Sequence, residues 1–230
     1  MKDLTQLQKK LGVKFKDSKI LQQALVHRSY LNEHPNFGID HNERLEFLGD
    51  AALELAVTEY LYQNYPNPEG ELTNWRASLV NSKMLATLGK QFELDDHILL
   101  SKGESKDKNT KARQFILANA FEALIGAMYL DLGFIKTKKF LEKNLISQLD
   151  YILKNQLYID PKSKFQEIAQ EKVGITPNYK VIEETGPDHN KKFKMAVFLE
   201  AEKIATGIGS SKQEGQIDAA ANALKKKGWK

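Results

Sequence analysis

The sequence contains no cysteine, which excludes disulfide bonds and metal centres with thiolate ligands. Its first residues, Met1 to Gln6, lack the apolar segment of a signal peptide. No run of about 20 apolar residues is present that would span a membrane as a helix. These absences predict a soluble, cytoplasmic protein with no membrane partner.

The sequence also lacks a strong excess of either charge. Its 34 Lys and Arg residues against 30 Asp and Glu give a formal net charge of +4. Most of this excess falls in residues 158–230, which hold 13 lysines and 10 acidic residues. So small an excess permits a polyanionic partner without demonstrating one.

The pattern of apolar residues divides the chain into two domains. From Leu4 to about Leu157 the apolar residues recur at three- and four-residue steps, which predicts an all-α domain over residues 1–155. After Asp160 the pattern predicts a helix over 162–173, strands over Tyr179–Glu184, Lys192–Glu200 and Ala201–Gly207, and a helix over Ser211–Lys226. This α-β-β-β-α order predicts an α+β domain over residues 159–230, with helices on one face of a small antiparallel sheet.

An acidic stripe follows one face of a predicted helix. Its members are Glu43, Glu46, Asp50 and Glu54, and the first three lie within about 60° of one another around the helix axis. Most such stripes are the solvated face of an amphipathic helix. Gly49 favours a closer contact with another element, since a glycine inside a helix costs about 1 kcal/mol and often marks close approach.

A second segment, Phe115–Leu130, is apolar on nearly every side, which is typical of a core helix. Asn119 and Glu122 are its strongly polar interior residues, and they share one face. A buried carboxylate must be neutralised by a proton, a basic partner or a cation. An ion pair with Arg44 or Arg76 is one solution.

A divalent cation is the other solution. If the two helices face each other, the carboxylates of Glu46, Asp50 and Glu122 and the side-chain oxygen of Asn119 form a cluster of hard oxygen ligands. Such a cluster suits octahedral Mg²⁺, with water in the remaining positions. Without a cation the crowded carboxylates would repel one another.

Several segments resemble the ribonuclease III family. Residues 42–50, Asn-Glu-Arg-Leu-Glu-Phe-Leu-Gly-Asp, resemble its signature, and residues 27–30, 70–73, 76–81 and 121–127 are similar to further family segments. The C-terminal part resembles the double-stranded-RNA-binding domain of bacterial members through residues 165–167, 186–189, 207–212 and 219–220. The resemblance covers nearly the whole chain.

The resemblance implies an endoribonuclease that cuts double-stranded RNA by Mg²⁺-dependent hydrolysis, leaving 5′-phosphate and 3′-hydroxyl ends, in rRNA and mRNA processing. It implies a homodimer, and Mn²⁺ as a substitute for Mg²⁺. The implied metal ligands are Glu46, Asp50, Asn119 and Glu122, of which Asp50 and Glu122 are catalytic. The implied RNA-binding residues are Glu43, Glu69, Gln166, Glu167, His189, Lys191, Lys212 and Gln213.

The sequence departs from the family pattern at four positions. Asn119 replaces the usual aspartate, so the site carries one negative charge fewer and attracts a dication less strongly. Gln213 stands where a second lysine is usual, and Gly215 and Ile217 are also atypical, which predicts a weaker phosphate contact and a less stable or differently packed last helix. The first alternative is therefore a double-stranded-RNA-binding protein of the same fold whose catalysis is impaired.

Other interpretations remain open at this point. The acidic stripe and the basic tail are also compatible with an unrelated helical scaffold that binds an acidic protein. His189 is compatible with an ordinary turn residue, and Lys191, Lys192 and residues 225–227 with a solvated basic surface. A nuclease that acts on DNA is less favoured, because the RNA-binding domain that the C-terminal part resembles depends on the A-form geometry of its duplex.

Overall fold

In a computed structural model of the protein, residues 3–106, 110–187 and 191–229 are described, and the chain divides into two compact units between Tyr158 and Ile159. The first unit is helical. Its helices are α1 (Leu4–Leu11), α2 (Ser18–Ala24), α3 (Arg28–Glu33), α4 (Glu43–Asn64), α5 (Glu69–Val80), α6 (Ser82–Gln91), α7 (Lys111–Leu132), α8 (Phe134–Asn144) and α9 (Leu149–Lys154). The second unit contains α10 (Pro161–Val173), β1 (Asn178–Thr185), β2 (Lys192–Leu199), β3 (Glu202–Gly209) and α11 (Lys212–Lys227).

Helix α7 forms the centre of the first unit. It begins after Thr110, whose hydroxyl accepts a hydrogen bond from the Arg113 backbone N–H, and it ends at Gly133, whose φ is 83°. Helices α2, α4, α6 and α8 pack around it, and most of its residues are buried. By length and composition α7 is also apolar enough to cross a membrane, but this is weak evidence because 61% of its most apolar window is buried inside the protein. These properties are those of the core helix that the sequence predicts.

Within residues 159–187 and 191–229 of the second unit, three strands form an antiparallel sheet in the order β1-β2-β3. Both α10 and α11 contribute to a core beneath this sheet, with Phe165 of α10 and Ala219 of α11 fully buried against Met195 and Val197 of β2. The predicted α+β architecture is confirmed.

The predicted strand ends differ from the structure at one turn. Glu200 and Ala201, predicted to lie in strands, form a two-residue turn between β2 and β3, with Glu200 in the left-handed region at a φ of 51°. The third strand therefore starts one residue later than predicted and continues to Gly209. Alternation of apolar and polar residues does not reveal a tight turn whose residues fit the same pattern.

Gly215, one of the atypical residues of the last helix, has a packing role. A methyl group added there would lie 2.6 Å from Cγ of Met195 and 3.1 Å from the Phe193 carbonyl oxygen. The absence of a side chain lets α11 pack closely on β2. Whether this helix packs differently from the family pattern, or is less stable, stays a prediction.

Candidate active site

The acidic residues of α4 and α7 lie where the two helices are in close contact. A methyl group added at Gly49 would lie 1.8 Å from the Glu122 carbonyl oxygen, and one added at Gly126 would lie 2.1 Å from a carbonyl oxygen of α4. Because no side chain separates the backbones at these glycines, Glu46 and Asp50 of α4 are brought next to Glu122 of α7. Both α4 carboxylates interact electrostatically with Glu122. The two predicted halves of the site do face each other.

Asn119 lies one helical turn before Glu122 and contacts the acidic cluster directly. Its side chain forms a hydrogen bond with the carboxylate of Glu46, which favours the charged form of that carboxylate. Burial, the neighbouring charge of Glu43 and that of Asp50 act in the opposite direction, so the pKa of Glu46 is raised. The amide therefore partly compensates the crowding of negative charge around Glu46.

The pKa of Glu122 is raised strongly. Burial is the main cause, and with the charges of Asp50 and Glu46 it raises the pKa of Glu122 to about 7. Near neutral pH this carboxylate therefore exchanges between its protonated and charged forms. A bound cation would favour the charged form, and its ligands would then have to be deprotonated.

The alternative of a structural ion pair for Glu122 is not supported. A guanidinium N–H of Arg76 donates a hydrogen bond of 3.0 Å to the hydroxyl of Thr58, and Arg44 is exposed on α4. Across the described ranges 3–106, 110–187 and 191–229, neither arginine pairs with Glu122. A proton or a cation remains to neutralise this carboxylate.

The side chains have the chemistry of a magnesium site without a closed coordination shell. In the part of the chain that the structure describes, no group of three or more His, Cys, Asp or Glu side chains is close enough together to hold a metal ion. The donors present are carboxylates and one amide, which are ligands that Mg²⁺ accepts while it keeps several waters. Burial, together with the charges of Asp50 and Glu46, raises the pKa of Glu122, and a dication bound at this position would offset that effect. The assignment of Glu46, Asp50, Asn119 and Glu122 as ligands stays a prediction.

Glu43 lies at the rim of this cluster. Its carboxylate forms an ion pair with Arg28 of α3 at 3.3 Å, and both side chains are substantially exposed. The charge of Glu43 also raises the pKa of Glu46, so Glu43 interacts electrostatically with the cluster. The role of Glu43 in RNA binding stays a prediction.

Glu69 lies elsewhere in the single chain. It starts α5 and borders a cavity of about 690 Å³ together with Thr58, Tyr62 and Arg76. Thr58 is eight residues beyond Asp50 on α4, a rise of about 12 Å along the helix. The chain by itself therefore separates Glu69 from the cluster, and its place in an RNA cleft stays a prediction.

In the second unit, two of the predicted RNA-binding lysines converge on one carboxylate. The Nζ atoms of Lys191 and Lys212 lie 3.3 and 4.0 Å from the carboxylate oxygens of Glu184. Both ammonium groups also lie over the ring of Phe193, 5.9 and 5.8 Å from its centre. Glu184 and Phe193 thus hold the two cations side by side at one end of the sheet.

Gln166, Glu167 and Gln213 are exposed on α10 and α11, as a nucleic-acid contact requires. His189 lies outside the described residues. Glu184 was missed by the sequence reasoning, because strand alternation shows only that it occupies β1. Which lysines it meets depends on the register that pairs Glu184 with Phe193.

Each of the two units matches a known protein family. Residues 17–149 match the family described as Ribonuclease-III-like, and residues 161–227 match the Double-stranded RNA binding motif. "Ribonuclease 3" of a Nitratiruptor species is 42% identical over 226 residues, which cover 98% of this chain and 97% of that protein. The chain belongs to the ribonuclease III family. "Ribonuclease 3" of Enterococcus faecalis is 41% identical over 222 residues, 96% of each chain.

A solved structure shares the helical unit of this ribonuclease III family member. The nuclease domain of ribonuclease III from Campylobacter jejuni has 38% sequence identity and a TM-score of 0.57, covering 64% of this chain and 97% of that one. Family membership makes the chain an endoribonuclease, and the contact between α4 and α7 is its candidate active site.

Proposed function

We propose that this ribonuclease III family member cleaves double-stranded RNA by Mg²⁺-dependent hydrolysis, leaving 5′-phosphate and 3′-hydroxyl ends, and that it acts in rRNA and mRNA processing. The observation that carries the proposal is the convergence of carboxylates from α4 and α7, where burial and the charges of Asp50 and Glu46 raise the pKa of Glu122 to about 7. A half-buried carboxylate next to two others is costly to a fold that has no use for its charge. Mn²⁺ is expected to replace Mg²⁺ at the same oxygens.

The residues of the cluster divide the work. Glu46, Asp50, Asn119 and Glu122 would hold Mg²⁺, which when bound lowers the pKa of a water ligand and polarises a phosphate oxygen. Asn119 would also favour the charged form of Glu46, since their interaction lowers the pKa of that carboxylate. Gly49 brings the α4 and α7 backbones together, so the carboxylates are positioned by the helix core and not by mobile loops.

The second unit supports a duplex as substrate. A-form RNA presents phosphates across a wide minor groove, and domains of this motif bind that shape with little regard to sequence. The paired cations of Lys191 and Lys212 suit phosphates. We also propose that the protein acts in the cytoplasm.

A gel assay tests the proposal. Labelled double-stranded RNA is incubated with the protein and Mg²⁺, next to single-stranded RNA and a DNA duplex of the same sequence. The proposal expects cleavage of the RNA duplex alone, with products that carry a 5′-phosphate and no cleavage in EDTA. Equal cleavage in EDTA, or preference for either control substrate, would overturn it.

The amide at Asn119 favours a second candidate, a duplex-binding member with weak metal capture. The substitution Asn119→Asp adds a negative charge next to Glu46 and removes the amide's hydrogen bond. We expect it to lower the Mg²⁺ concentration for half-maximal cleavage by about tenfold, corresponding to roughly 1.4 kcal/mol of added attraction. Magnesium titrations of the cleavage rate measure this shift.

The two candidates give different outcomes for Asn119. If wild-type protein binds duplex RNA without cutting it and Asn119→Asp cuts, the protein is impaired by its amide. If both proteins cut with the same Mg²⁺ dependence, the amide is a full replacement for the carboxylate. The substitution Asn74→Asp, at an exposed amide of α5, is the control and should leave the Mg²⁺ dependence unchanged.

We also propose a homodimer. Phe47, Leu55 and Tyr62 expose 82%, 56% and 80% of their surface along α4 and lie within about 80° of one another around its axis. The Campylobacter jejuni nuclease domain is described as having a region involved in dimer formation. Sedimentation equilibrium is expected to give about twice the chain mass of 26.1 kDa, and Phe47→Asp about one chain mass. Monomeric wild-type protein at micromolar concentration would contradict the proposal.

A further inference from the structure

The loop between α1 and α2 and the outer face of α8 enclose a groove of about 420 Å³. Val13, Leu132 and Phe140 form part of its apolar floor. Its charged lining residues are Lys14, Lys136, Lys139 and Lys143. Among the described residues that line it, none carries a carboxylate.

The lysines of this groove differ from their neighbour on α8. Lys138 lies 2.9 Å from a carboxylate oxygen of Glu59, so its charge is compensated inside the fold. Lys136, Lys139 and Lys143 follow at steps of three and four residues and therefore share one face of the helix. In the part of the chain that the structure describes, these three lysines form no ion pair and their side chains are exposed.

The loop opposite α8 is held in place by a carboxylate of α7. Asp131, at the end of α7, accepts hydrogen bonds from the backbone N–H groups of Lys16 and Asp17 at 2.7 and 3.0 Å. This holds Lys14 at the rim of the groove. The carboxylate of Asp131 thus binds the backbone of the loop, and it does not line the groove beside the lysine ammonium groups.

We propose that this groove binds the phosphate backbone of RNA and forms a contact of the nuclease unit separate from Lys191 and Lys212. The inference rests on the proposed function, since it names a second contact for the same substrate. A domain whose active site is a cluster of carboxylates repels a polyanion, and uncompensated lysines on its surface offset that repulsion.

Duplex RNA binding is measured in EDTA at several salt concentrations. The groove variant carries Lys136→Gln, Lys139→Gln and Lys143→Gln. The matched control carries Lys83→Gln, Lys90→Gln and Lys154→Gln, three exposed lysines of the same unit, so both lose the same charge. Circular dichroism confirms that both variants are folded.

We expect the groove variant to bind about tenfold more weakly at 0.15 M salt, and its slope of log affinity against log salt to fall by about 2. The control variant should match the wild type, and Lys212→Gln should lower the slope independently of the groove. If groove and control variants bind alike while the wild type binds RNA, the inference fails and the proposed function stands. If the wild type fails to bind duplex RNA, both fail.

Lysine acetylation followed by mass spectrometry locates the contact directly. Duplex RNA should protect Lys136, Lys139 and Lys143 at least severalfold, and leave Lys83 and Lys90 reactive. Poly-glutamate serves as the competing polyanion. Protection by poly-glutamate without protection by RNA would overturn the inference in favour of an acidic protein partner.

Discussion

Replacing Glu122 with glutamine is expected to lower the rate of duplex RNA cleavage about a thousandfold, because a metal ligand supplies several kcal/mol of transition-state stabilisation. The glutamine keeps the size of the side chain and removes its charge, so the contact between α4 and α7 is preserved. RNA affinity in EDTA should stay within about twofold of the wild type, since the second unit is unchanged. Single-turnover cleavage and filter binding measure the two quantities.

The same substitution should change how stability depends on pH. The folded state raises the pKa of Glu122 from 4.5 to about 7, so it binds this proton more tightly than the unfolded chain does. Without metal, the free energy of unfolding therefore falls as the pH rises from about 4.5 through about 7. Glu122→Gln removes this contribution, and its stability should exceed that of the wild type at pH 8 in EDTA.

Glu54→Gln is the matched control for both effects. Glu54 is an exposed member of the same acidic stripe, and its charge is not among the causes that raise the pKa of Glu122. Its substitution should leave the cleavage rate and the pH dependence of urea unfolding unchanged. Comparable losses of cleavage in the two variants would show that general surface charge, and not the position of Glu122, governs the reaction.

Gly49→Ala is expected to destabilise the nuclease unit by about 3 kcal/mol and to lower cleavage by about a hundredfold. The added methyl group would lie 1.8 Å from the Glu122 carbonyl oxygen, so α4 and α7 must move apart by more than 1 Å. That separation displaces Glu46 and Asp50 from Glu122. Chemical denaturation and single-turnover kinetics measure the two losses.

Gly70→Ala, on another helix, is expected to have the opposite effect on stability. Gly70 lies in α5, and a methyl group added there meets nothing within 4 Å. Its removal of backbone freedom should stabilise the protein by up to about 1 kcal/mol, with cleavage unchanged. If Gly49→Ala also stabilised the protein, α4 and α7 would not be in the contact described.

Which side chains share a face of α4 or of α7 was predictable, because helical periodicity fixes it. Gly49 favoured a close approach of α4 to another element. That this element is α7 was only a condition of the predicted metal site, and the contact between the two helices meets that condition. The bond between Asn119 and Glu46 was not predictable, since it depends on how far one helix is shifted along the other. Sequence spacing carries no information on that shift.

In the second unit, too, the helices and strands were predictable, whereas the contacts between side chains were not. Its order of helices and strands followed from the change to alternating apolar residues after Asp160. The convergence of Lys191 and Lys212 on Glu184 did not follow, because it requires the pairing of β1 with β2 and the start of α11 to be known together. The groove at α8 was hidden for the same reason, since Lys14 and Lys143 are far apart in sequence.

The most direct measurement of the central claim is the melting temperature of the protein as Mg²⁺ is added at pH 8 without RNA. If the carboxylates of Glu46, Asp50 and Glu122 surround a cation position, Mg²⁺ at about a hundredfold above its dissociation constant stabilises the fold by about 2.7 kcal/mol. The account predicts this rise for the wild type and for Glu54→Gln, and little or none for Glu122→Gln. An equal rise in all three proteins, or none in any, would contradict it.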